Sequence, residues 1–590
     1  MGKWAVTENI PEHLAPFIVK QDPALYTPID HASWRYILRV SRAFFAHSAH
    51  KKYLNGLEET GISIDRIPLV SEIDECLRRF GWRAVAVSGF IPPAAFMEFQ
   101  SLGILPVACD MRSLDHLAYT PAPDIVHEAA GHAPIIADPE YADYLRNYGE
   151  VSRKAISSDK DLLVYEAIRN LSEVKENPHS TWAEVQAAQT RLDQAVAAVD
   201  FLSEAALLAR MNWWTVEYGL VGTMDNPKIY GAGLLSSVGE SFHCLRDQVQ
   251  KTPFSIDCIE TDYDITRPQP QLFVTPDFAS LTRVLEEFAQ TMAFRRGGRA
   301  GLEKALQAKT PTTAVLDSGI QVGGLLAEFL GDQAGAPCYL SFRGPTQLAY
   351  RDHQLDGHGA NYHREGFGGP VGKLKGLGKS PAALTEQDLL ALGFSPGKMA
   401  RLEFESGVVV VGILEGFVRK EGLLLVLVFN SCTVTLGERI LFRPEWGTYD
   451  MACGSEVISV FGGTPDRGAY LRETGGLTQK PAFQKTNLTP ENRELNGHYQ
   501  RVRELRELAQ REPSKLSIVK AGLSEVHVRL NAQHPDDWLL RLELLELNRT
   551  LNLMAPWEEP VRNELTQLSK RSPQTQELIA RGTQILSLSV

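Results

Sequence analysis

The sequence predicts an α+β protein with a mainly helical first domain, a small β-rich module and a helical C-terminal region. In residues 182–210, alanine and leucine recur at three- and four-residue steps between charged residues, which is typical of an amphipathic helix. Residues 400–462 are dense in valine, leucine and other strand formers, with short turns between the runs. Leucine returns at helical steps in residues 502–511 and 538–549. These changes of pattern predict the order of the three parts.

A chain of 590 residues is long enough for more than one domain. Small, turn-prone residues are concentrated between residues 310 and 337, and they predict a linker. The leucine stripes near the C-terminus predict an ordinary bundle core, with helices that join copies of the chain into a homo-oligomer as the alternative. We predict four segments: residues 1–300, the helical first domain; 301–395, a glycine-rich connecting region; 396–470, the β-rich module; and 480–590, the helical C-terminal region.

The composition disfavours several classes of protein. Lysine and arginine number 60 against 72 aspartate and glutamate residues, so the net charge is −12, whereas nucleic acids and anionic lipid surfaces attract basic proteins. The seven cysteines form no Cys-x-x-Cys pair, which favours a reducing compartment. The apolar run at residues 422–429 is far shorter than the roughly 20 residues of a membrane span. We expect no nucleic-acid partner, no membrane partner and a cytoplasmic location.

The most informative segment contains two histidines five residues apart, His127 and His132. Zinc proteases of the His-Glu-x-x-His type place their histidines four apart, roughly 40° from each other on one helix face. A spacing of five separates the imidazoles by roughly 140° on an ideal helix. They converge only if they reach in from both flanks of the helix, or if Gly131 lets the helix distort. The spacing therefore argues against a zinc protease.

Two imidazoles and one carboxylate form the ligand set of non-haem iron(II) oxygenases, which leave the remaining positions open for oxygen and substrate. A histidine pair beside a glutamate also occurs by chance in many helices, where the histidines are ordinary core residues. The residue types alone do not identify the carboxylate. The candidates are Asp124, Glu128, Glu150 and Glu217.

Two sequence blocks around these residues carry a resemblance to a known family. The first, preceded by Arg112, is Tyr119-Thr120-Pro121-Ala122-Pro123-Asp124-Ile125-Val126-His127-Glu128, followed by Gly131-His132. The second is Trp213-Trp214-Thr215-Val216-Glu217-Tyr218-Gly219-Leu220, followed by Tyr230-Gly231-Ala232-Gly233-Leu234-Leu235-Ser236-Ser237. Together they resemble the pterin-dependent aromatic amino acid hydroxylases, the family of phenylalanine, tyrosine and tryptophan hydroxylases. The resemblance covers roughly residues 10–295 and implies that residues 1–300 are a catalytic domain of this type.

The resemblance implies an iron(II) site and a pterin site. Phe96 matches the phenylalanine that stacks on the flat pterin ring, and Glu128 and Gly89 match other positions at the pterin. Without the resemblance, Glu128 would be interpreted as a solvated helix carboxylate. The implied reaction activates O2 at iron(II) while tetrahydrobiopterin or a related tetrahydropterin supplies two electrons. The implied iron ligands are His127, His132 and Glu217.

The resemblance also implies a pocket for a free aromatic amino acid. Arg112 matches the arginine that binds the carboxylate of the amino acid in bidentate fashion, and Asp124 holds this arginine. Ser236 matches a serine that hydrogen-bonds a ligand histidine, which fixes the orientation of the imidazole ring. The other implied substrate contacts are Tyr119 and Thr120 at the polar end and Pro123, Trp213 and Gly233 around the ring.

Two positions favour phenylalanine, converted to tyrosine, as the substrate. By the same resemblance, Trp213 favours a phenylalanine or tyrosine pocket. Ile265 matches the position where tyrosine hydroxylases carry an acid, and an apolar side chain there suits a ring without a hydroxyl, because a buried carboxylate would need a partner. Tyrosine and tryptophan remain alternatives within the family. Two interpretations from other classes stay open: a zinc metallohydrolase that uses the same histidines, and a non-catalytic binding protein on this fold.

Residues 341–380 are rich in glycine and contain three further histidines. A second metal site is one interpretation. A glycine-rich loop with solvated histidines is favoured, because such loops lack the fixed geometry that a ligand set needs. The histidines are His353, His358 and His363, with Asp352 and Asp356 nearby.

Overall fold

Helices form most of the first domain in the computed structural model, which describes residues 10–118, 122–177, 180–265, 267–476 and 490–588. Two of its helical segments, Val126–His132 and Trp213–Glu217, are π-helices. The α-helices are α1 (Pro28–Ser48), α2 (Tyr53–Glu59), α3 (Val70–Leu77), α4 (Pro93–Ser101), α5 (Ala133–Ile136), α6 (Pro139–Ser152), α7 (Asp159–Glu176), α8 (Trp182–Ala197), α9 (Glu204–Asn212), α10 (Ala232–Ser236), α11 (Val238–His243), α12 (Phe278–Ala289), α13 (Ala293–Arg296) and α14 (Gly298–Ala308).

Helix α1 is largely buried. It begins with a capping box, in which the Thr27 hydroxyl accepts a hydrogen bond from the Asp30 N–H and the Asp30 carboxylate accepts one from the Thr27 N–H at 2.7 Å. Every residue from His31 to Leu38 is buried, so the helix is covered on all sides. One face of α1 therefore packs against the first domain, and another packs against the helices of the C-terminal region.

Two small sheets complete the first domain. Strands β1 (Arg83–Val87) and β2 (Ile104–Ala108) pair in parallel, and helix α4 connects them. The second sheet has the order β4-β3-β6-β5. Its strands are β3 (Leu220–Thr223), β4 (Asn226–Ile229), β5 (Gln250–Pro253) and β6 (Gln271–Thr275).

A six-stranded sheet follows, with the order β10-β9-β8-β7-β17 and with β11 paired to β9. The next sheet has the order β12-β13-β14-β15, with β16 paired to β14. Helix α15 (Glu386–Ala391) lies between them in the chain, and α16 (Arg467–Thr474) follows the last strand. The strands are β7 (Thr312–Leu316), β8 (Ile320–Gly331), β9 (Pro337–Tyr350), β10 (His353–Gln354), β11 (Gly366–Pro370), β12 (Lys398–Glu403), β13 (Val408–Lys420), β14 (Leu423–Leu436), β15 (Arg439–Phe442), β16 (Tyr449–Ala452) and β17 (Val457–Gly462).

The predicted linker at residues 310–337 and the predicted connecting region at 301–395 are wrong. Threonines 312 and 313 begin strand β7, as their β-branched side chains allow. Gly319 and Gly335 adopt positive φ angles of 83° and 84° and make the turns on either side of β8. The turn-prone residues thus belong to hairpins of a sheet, which joins strands far apart in sequence.

The C-terminal helices pack against the first domain. A single apolar cluster contains residues of both parts, among them Trp34 and Ile37 of α1 and Leu540 and Leu544 of the C-terminal region. The leucine stripes are therefore core positions of this chain. Across the described ranges, no helix combines the length and apolar character that a bilayer span requires. The helices are α17 (Pro490–Arg511), α18 (Leu516–Gln533), α19 (Leu539–Thr550), α20 (Glu558–Leu568) and α21 (Pro573–Leu588).

A buried ion pair lies in this interface. The guanidinium of Arg35 on α1 donates two hydrogen bonds of 2.7 Å to the carboxylate of Glu543 on α19. Arg506 on α17 lies 3.3 Å from the same carboxylate. Although burial opposes ionisation, the neighbouring arginines lower the pKa of Glu543 to about 2. The carboxylate therefore stays charged and joins three helices.

Replacing Glu543 with glutamine is expected to destabilise this interface by about 3–5 kcal/mol, because the buried guanidinium of Arg35 loses its charged partner and Arg506 is left with Glu546 alone. The expected observation is a lower urea midpoint for unfolding, measured by intrinsic tryptophan fluorescence, to which the interface residues Trp34 and Trp538 contribute. Glu525→Gln on α18 is the matched control, since its partner Arg529 is exposed and such pairs contribute about 0–1 kcal/mol. Equal midpoints for the two variants would contradict the prediction.

The β region also contacts the first domain. Arg467 at the start of α16 donates a hydrogen bond of 2.7 Å to the carboxylate of Glu98 on α4, and the His13 imidazole lies 3.0 Å from the same oxygen. Burial opposes the ionised form of Glu98, but its hydrogen bond with His13 and the charge of Arg467 lower its pKa to about 2. Helix α4, which carries Phe96, is thus held by two residues that lie far apart in the chain.

Candidate active site

The two histidines converge because their helix is a π-helix. In a π-helix each N–H bonds to the carbonyl five residues earlier, so residues five apart lie on one face. The Nε2 atoms of His127 and His132 are 3.1 Å apart, with their rings nearly perpendicular. A Cβ atom at Gly131 would lie 2.7 Å from the Ala232 carbonyl oxygen, so glycine lets this distorted helix approach α10. The distortion, and not the two flanks of a regular helix, brings the imidazoles together.

Glu217 is at the end of the second π-helix and faces both histidines. Its two carboxylate oxygens lie 3.3 Å from His127 Nε2 and 3.4 Å from His132 Nε2. Burial disfavours its charge, but the two imidazoles and the Gly233 N–H lower the pKa of Glu217 to about 2. Two nitrogens and one anionic oxygen therefore point at a common centre.

The other candidate carboxylates have different environments. Asp124 pairs with Arg112, and Glu150 is half exposed and pairs with Arg153. Glu128 lies 3.9 Å from His132 Nε2 and is not solvated as the residue pattern alone suggested. Burial raises its pKa to about 8, and its Oε2 has no hydrogen-bond partner among the described residues. Of the four, Glu217 is the one within 3.5 Å of both imidazoles.

Ser236 orients the first histidine. Its hydroxyl lies 3.1 Å from His127 Nδ1 and donates to the Ala232 carbonyl at 2.7 Å. With its donor proton used there, the hydroxyl oxygen can accept from the imidazole Nδ1–H, which leaves Nε2 with a free lone pair facing Glu217. Burial lowers the pKa of His127 to about 4, despite the opposing effect of Glu217, so the imidazole is neutral. A neutral nitrogen is the form that binds a metal ion.

Arg112 and Asp124 form a buried bidentate pair. The Nε and Nη2 groups of Arg112 donate to the two Asp124 oxygens at 2.7 and 2.8 Å, and Nη1 donates to the Ser236 carbonyl at 3.0 Å. The Asp124 carboxylate also accepts from the His127 N–H at 3.0 Å. Asp124 thus holds the arginine side chain and the His127 backbone together.

Trp213 stands in an aromatic stack. Tyr218 and Tyr263 lie on either side of its ring, each at a centroid distance of 4.4 Å and nearly parallel to it. A Cβ atom at Gly233 would lie 2.9 Å from the Tyr218 ring and 3.0 Å from the Glu217 carbonyl, so glycine permits this close packing. Sequence reasoning did not single out the two tyrosines, although each lies in a segment that it discussed.

The other residues that the resemblance implies for the pterin and the substrate lie in different parts of the first domain. Phe96 is half-buried on α4 and packs against a small apolar cluster with strand β1. Gly89 has a φ of 61° and donates its N–H to Asp110 at 2.7 Å, and Pro123 directly precedes Asp124. Tyr119 and Thr120 lie outside the described residues.

Comparison with known proteins places this site in a family. The family model described as biopterin-dependent aromatic amino acid hydroxylase matches residues 21–165 and 179–320. The phenylalanine-4-hydroxylase of Ralstonia nicotianae is 30% identical over 274 residues, which cover 43% of this chain and 74% of that protein. The chain belongs to this family. The phenylalanine-4-hydroxylase of Pseudomonas aeruginosa is 28% identical over 264 residues, covering 44% of this chain and 84% of that protein.

A solved structure is also similar to this aromatic amino acid hydroxylase. It is the phenylalanine hydroxylase of Chromobacterium violaceum with bound iron(III) and 7,8-dihydrobiopterin, 28% identical, with a TM-score of 0.37. The likeness covers 47% of this chain and 85% of that one. The family model ends at residue 320, so most of the β region and the C-terminal helices lie beyond it.

Proposed function

We propose that this chain is an iron(II)- and tetrahydropterin-dependent monooxygenase that hydroxylates the ring of free phenylalanine to give tyrosine. The observation that carries the proposal is the convergence of His127, His132 and Glu217, whose donor atoms lie 3.1–3.4 Å from one another. Membership of the family and the phenylalanine-4-hydroxylase names of its relatives support the substrate.

The donor set fits an iron ion. Donor atoms that each lie ~2.1 Å from one ion are about 3.0–3.4 Å apart, depending on the angle between them, and the spacings here agree. Two imidazoles and one carboxylate occupy one side of the ion and leave the other open. Bound iron, with tetrahydropterin as electron donor and O2 as co-substrate, supplies the chemistry that places one oxygen atom on the ring and the other on the pterin.

Arg112 binds the carboxylate of the amino acid in this proposal. Asp124 and Ser236 occupy three of its five N–H donors, which leaves one N–H on each terminal nitrogen for a second carboxylate. Because Asp124 also holds the His127 backbone, the substrate and the metal ligand share one support. The amino acid is thereby held at a fixed position relative to the ligand set.

Trp213 and its stack form one wall of the ring pocket. Tyr218 and Tyr263 prevent the indole from rotating, so the wall keeps its shape when the pocket is empty. Ile265 follows Tyr263 by two residues and contributes an apolar side chain, which suits phenylalanine better than tyrosine. Pro123 and Gly233 complete the proposed wall.

Glu128, Phe96 and Gly89 are assigned to the pterin. Beside His132, Glu128 offers a buried oxygen that has no partner within the described part of the chain, and a water molecule on a bound pterin would satisfy it. Phe96 offers a half-buried ring for stacking, and Gly89 offers backbone without a side chain. Glu128 thus positions the cofactor without ligating the metal.

We further propose a cytoplasmic location, which the seven free cysteines support. Self-association through the C-terminal helices also stays a prediction. Since the leucines of these helices pack within the chain, such an interface would use exposed side chains such as Ile518 and Val528 on α18.

The test is an assay of the iron(II)-loaded chain with tetrahydrobiopterin and each of phenylalanine, tyrosine and tryptophan. We expect oxygen-dependent formation of tyrosine from phenylalanine, with much slower turnover of the other two amino acids. Faster turnover of tryptophan or tyrosine would reassign the substrate within the family. Bound zinc with no oxygen uptake would favour the metallohydrolase interpretation.

A further inference from the structure

Two histidines of the glycine-rich segment are buried beside an aspartate from another strand. His358 and His363 lie between β10 and β11, and their Nδ1 and Nε2 atoms are 3.3 Å apart. Asp450 is on β16, and a carboxylate oxygen of Asp450 and one ring nitrogen of each histidine all lie within 4.8 Å of one another. All three side chains are less than 10% exposed, so the predicted solvated loop is wrong for these two histidines. His353, Asp352 and Asp356 are exposed and are not part of the cluster.

The backbone holds this cluster in a fixed geometry. The Leu348 N–H donates to the His358 carbonyl at 2.9 Å, and the Thr346 N–H donates to the His363 carbonyl at 3.1 Å. Both histidines are therefore attached to strand β9, while Asp450 is held in β16 by its pairing with β14. The side chains face one another without any rearrangement of the chain.

The hydrogen bonding of the Asp450 carboxylate is incomplete within the described residues. Asp450 Oδ1 is buried and has no hydrogen-bond partner among the described residues, although Tyr362 bonds to the same carboxylate. An unpartnered buried carboxylate oxygen is costly, and a bound cation would satisfy it. Burial lowers the pKa of His363 to about 3 and also lowers that of His358, so both imidazoles are neutral donors.

We propose that His358, His363 and Asp450 bind a divalent transition-metal ion of the zinc class. Two nitrogens that each lie ~2.05 Å from a tetrahedral ion are about 3.3 Å apart, which is the spacing here. Two imidazoles select late transition metals over calcium or magnesium, which prefer oxygen ligands. A water molecule completes the fourth position of such an ion.

The site lies between two sheets. The histidines are attached to the six-stranded sheet, and Asp450 belongs to the sheet that contains β14. A metal ion therefore links the two sheets at a point beyond the residues that the family model matches. This site shares no residue with the iron site, so it is independent of the proposed catalytic function.

The test compares metal content among matched variants after chelation, reloading with Zn²⁺ and removal of free ion. We expect about two zinc ions in the unmodified chain and about one in His358→Asn/His363→Asn. His127→Ala/Glu217→Ala, which disables the other site, should also retain about one. His353→Asn is the control, because this neighbouring histidine is exposed, and it should retain two.

Folding and location are checked on the same proteins. His358→Asn/His363→Asn, loaded with iron(II), should keep its hydroxylase rate within about twofold, and the nearly isosteric Asp450→Asn should also lose one zinc ion. In the His127→Ala/Glu217→Ala chain, Zn²⁺ should raise the melting temperature, and adding the His358→Asn/His363→Asn changes should abolish that rise. Equal zinc content in the unmodified chain and in His358→Asn/His363→Asn, whatever the other site holds, would overturn the proposal.

Discussion

Replacing Glu217 with alanine is expected to reduce hydroxylation by at least ~10³-fold and to lower the iron content of the purified chain. Glu217 supplies the one anionic donor of the set, and its oxygens lie 3.3 and 3.4 Å from the two imidazole nitrogens. Without it, two imidazoles remain, and they hold a divalent ion far more weakly. The measurement pairs tyrosine formation from phenylalanine with metal analysis of the same sample.

Glu150→Ala is the matched control for this variant. Glu150 was also a candidate ligand, but the structure places it away from the two histidines. It is half exposed and pairs with Arg153. Its removal should leave both iron content and turnover within about twofold of the unmodified chain. Full activity of Glu217→Ala, or equal losses in the two variants, would show that Glu217 does not ligate the metal.

Replacing Arg112 with lysine is expected to lower kcat/KM for phenylalanine by about 10²–10³-fold, mainly through a higher KM. Lysine keeps the charge but cannot bond Asp124 and a second carboxylate along two planar edges at once. The loss of a charge-assisted bidentate contact costs about 3–4 kcal/mol of binding, which corresponds to that factor. Steady-state kinetics over a range of phenylalanine concentrations measure the effect.

The iron content of Arg112→Lys separates substrate binding from structural damage. Asp124 keeps a cationic partner in this variant, so the His127 segment should stay in place and bind iron as before. Arg267→Lys makes the same chemical change at an exposed arginine and should leave the kinetics unaltered. A fall in kcat with unchanged KM and lost iron would assign Arg112 to the architecture of the site and not to the substrate.

The local patterns of the chain were good guides to local structure. Alanine and leucine at helical steps correctly predict α8 and α9, and the valine-rich runs correctly predict β13 and β14. The turn-prone residues around Gly319 and Gly335 led to the wrong prediction of a linker, because the same residue types occur in linkers and in tight hairpin turns. Whether the flanking segments pair depends on strand partners far away in the chain, such as β17 for β7.

By itself the sequence determined the order of helical and β-rich parts, the histidine pair and, through the resemblance, the set of residues to look for around it. The tertiary structure decided which of them meet. His127 and His132 share a face because packing of Gly131 against α10 accommodates a π-helix, and Glu217 reaches them from a second one. Asp450 joins His358 and His363 in the same way, through sheet pairing. The spacing of residues in the sequence determines only local geometry. A set of metal ligands depends on contacts between segments that are distant in the sequence, and tertiary packing creates those contacts.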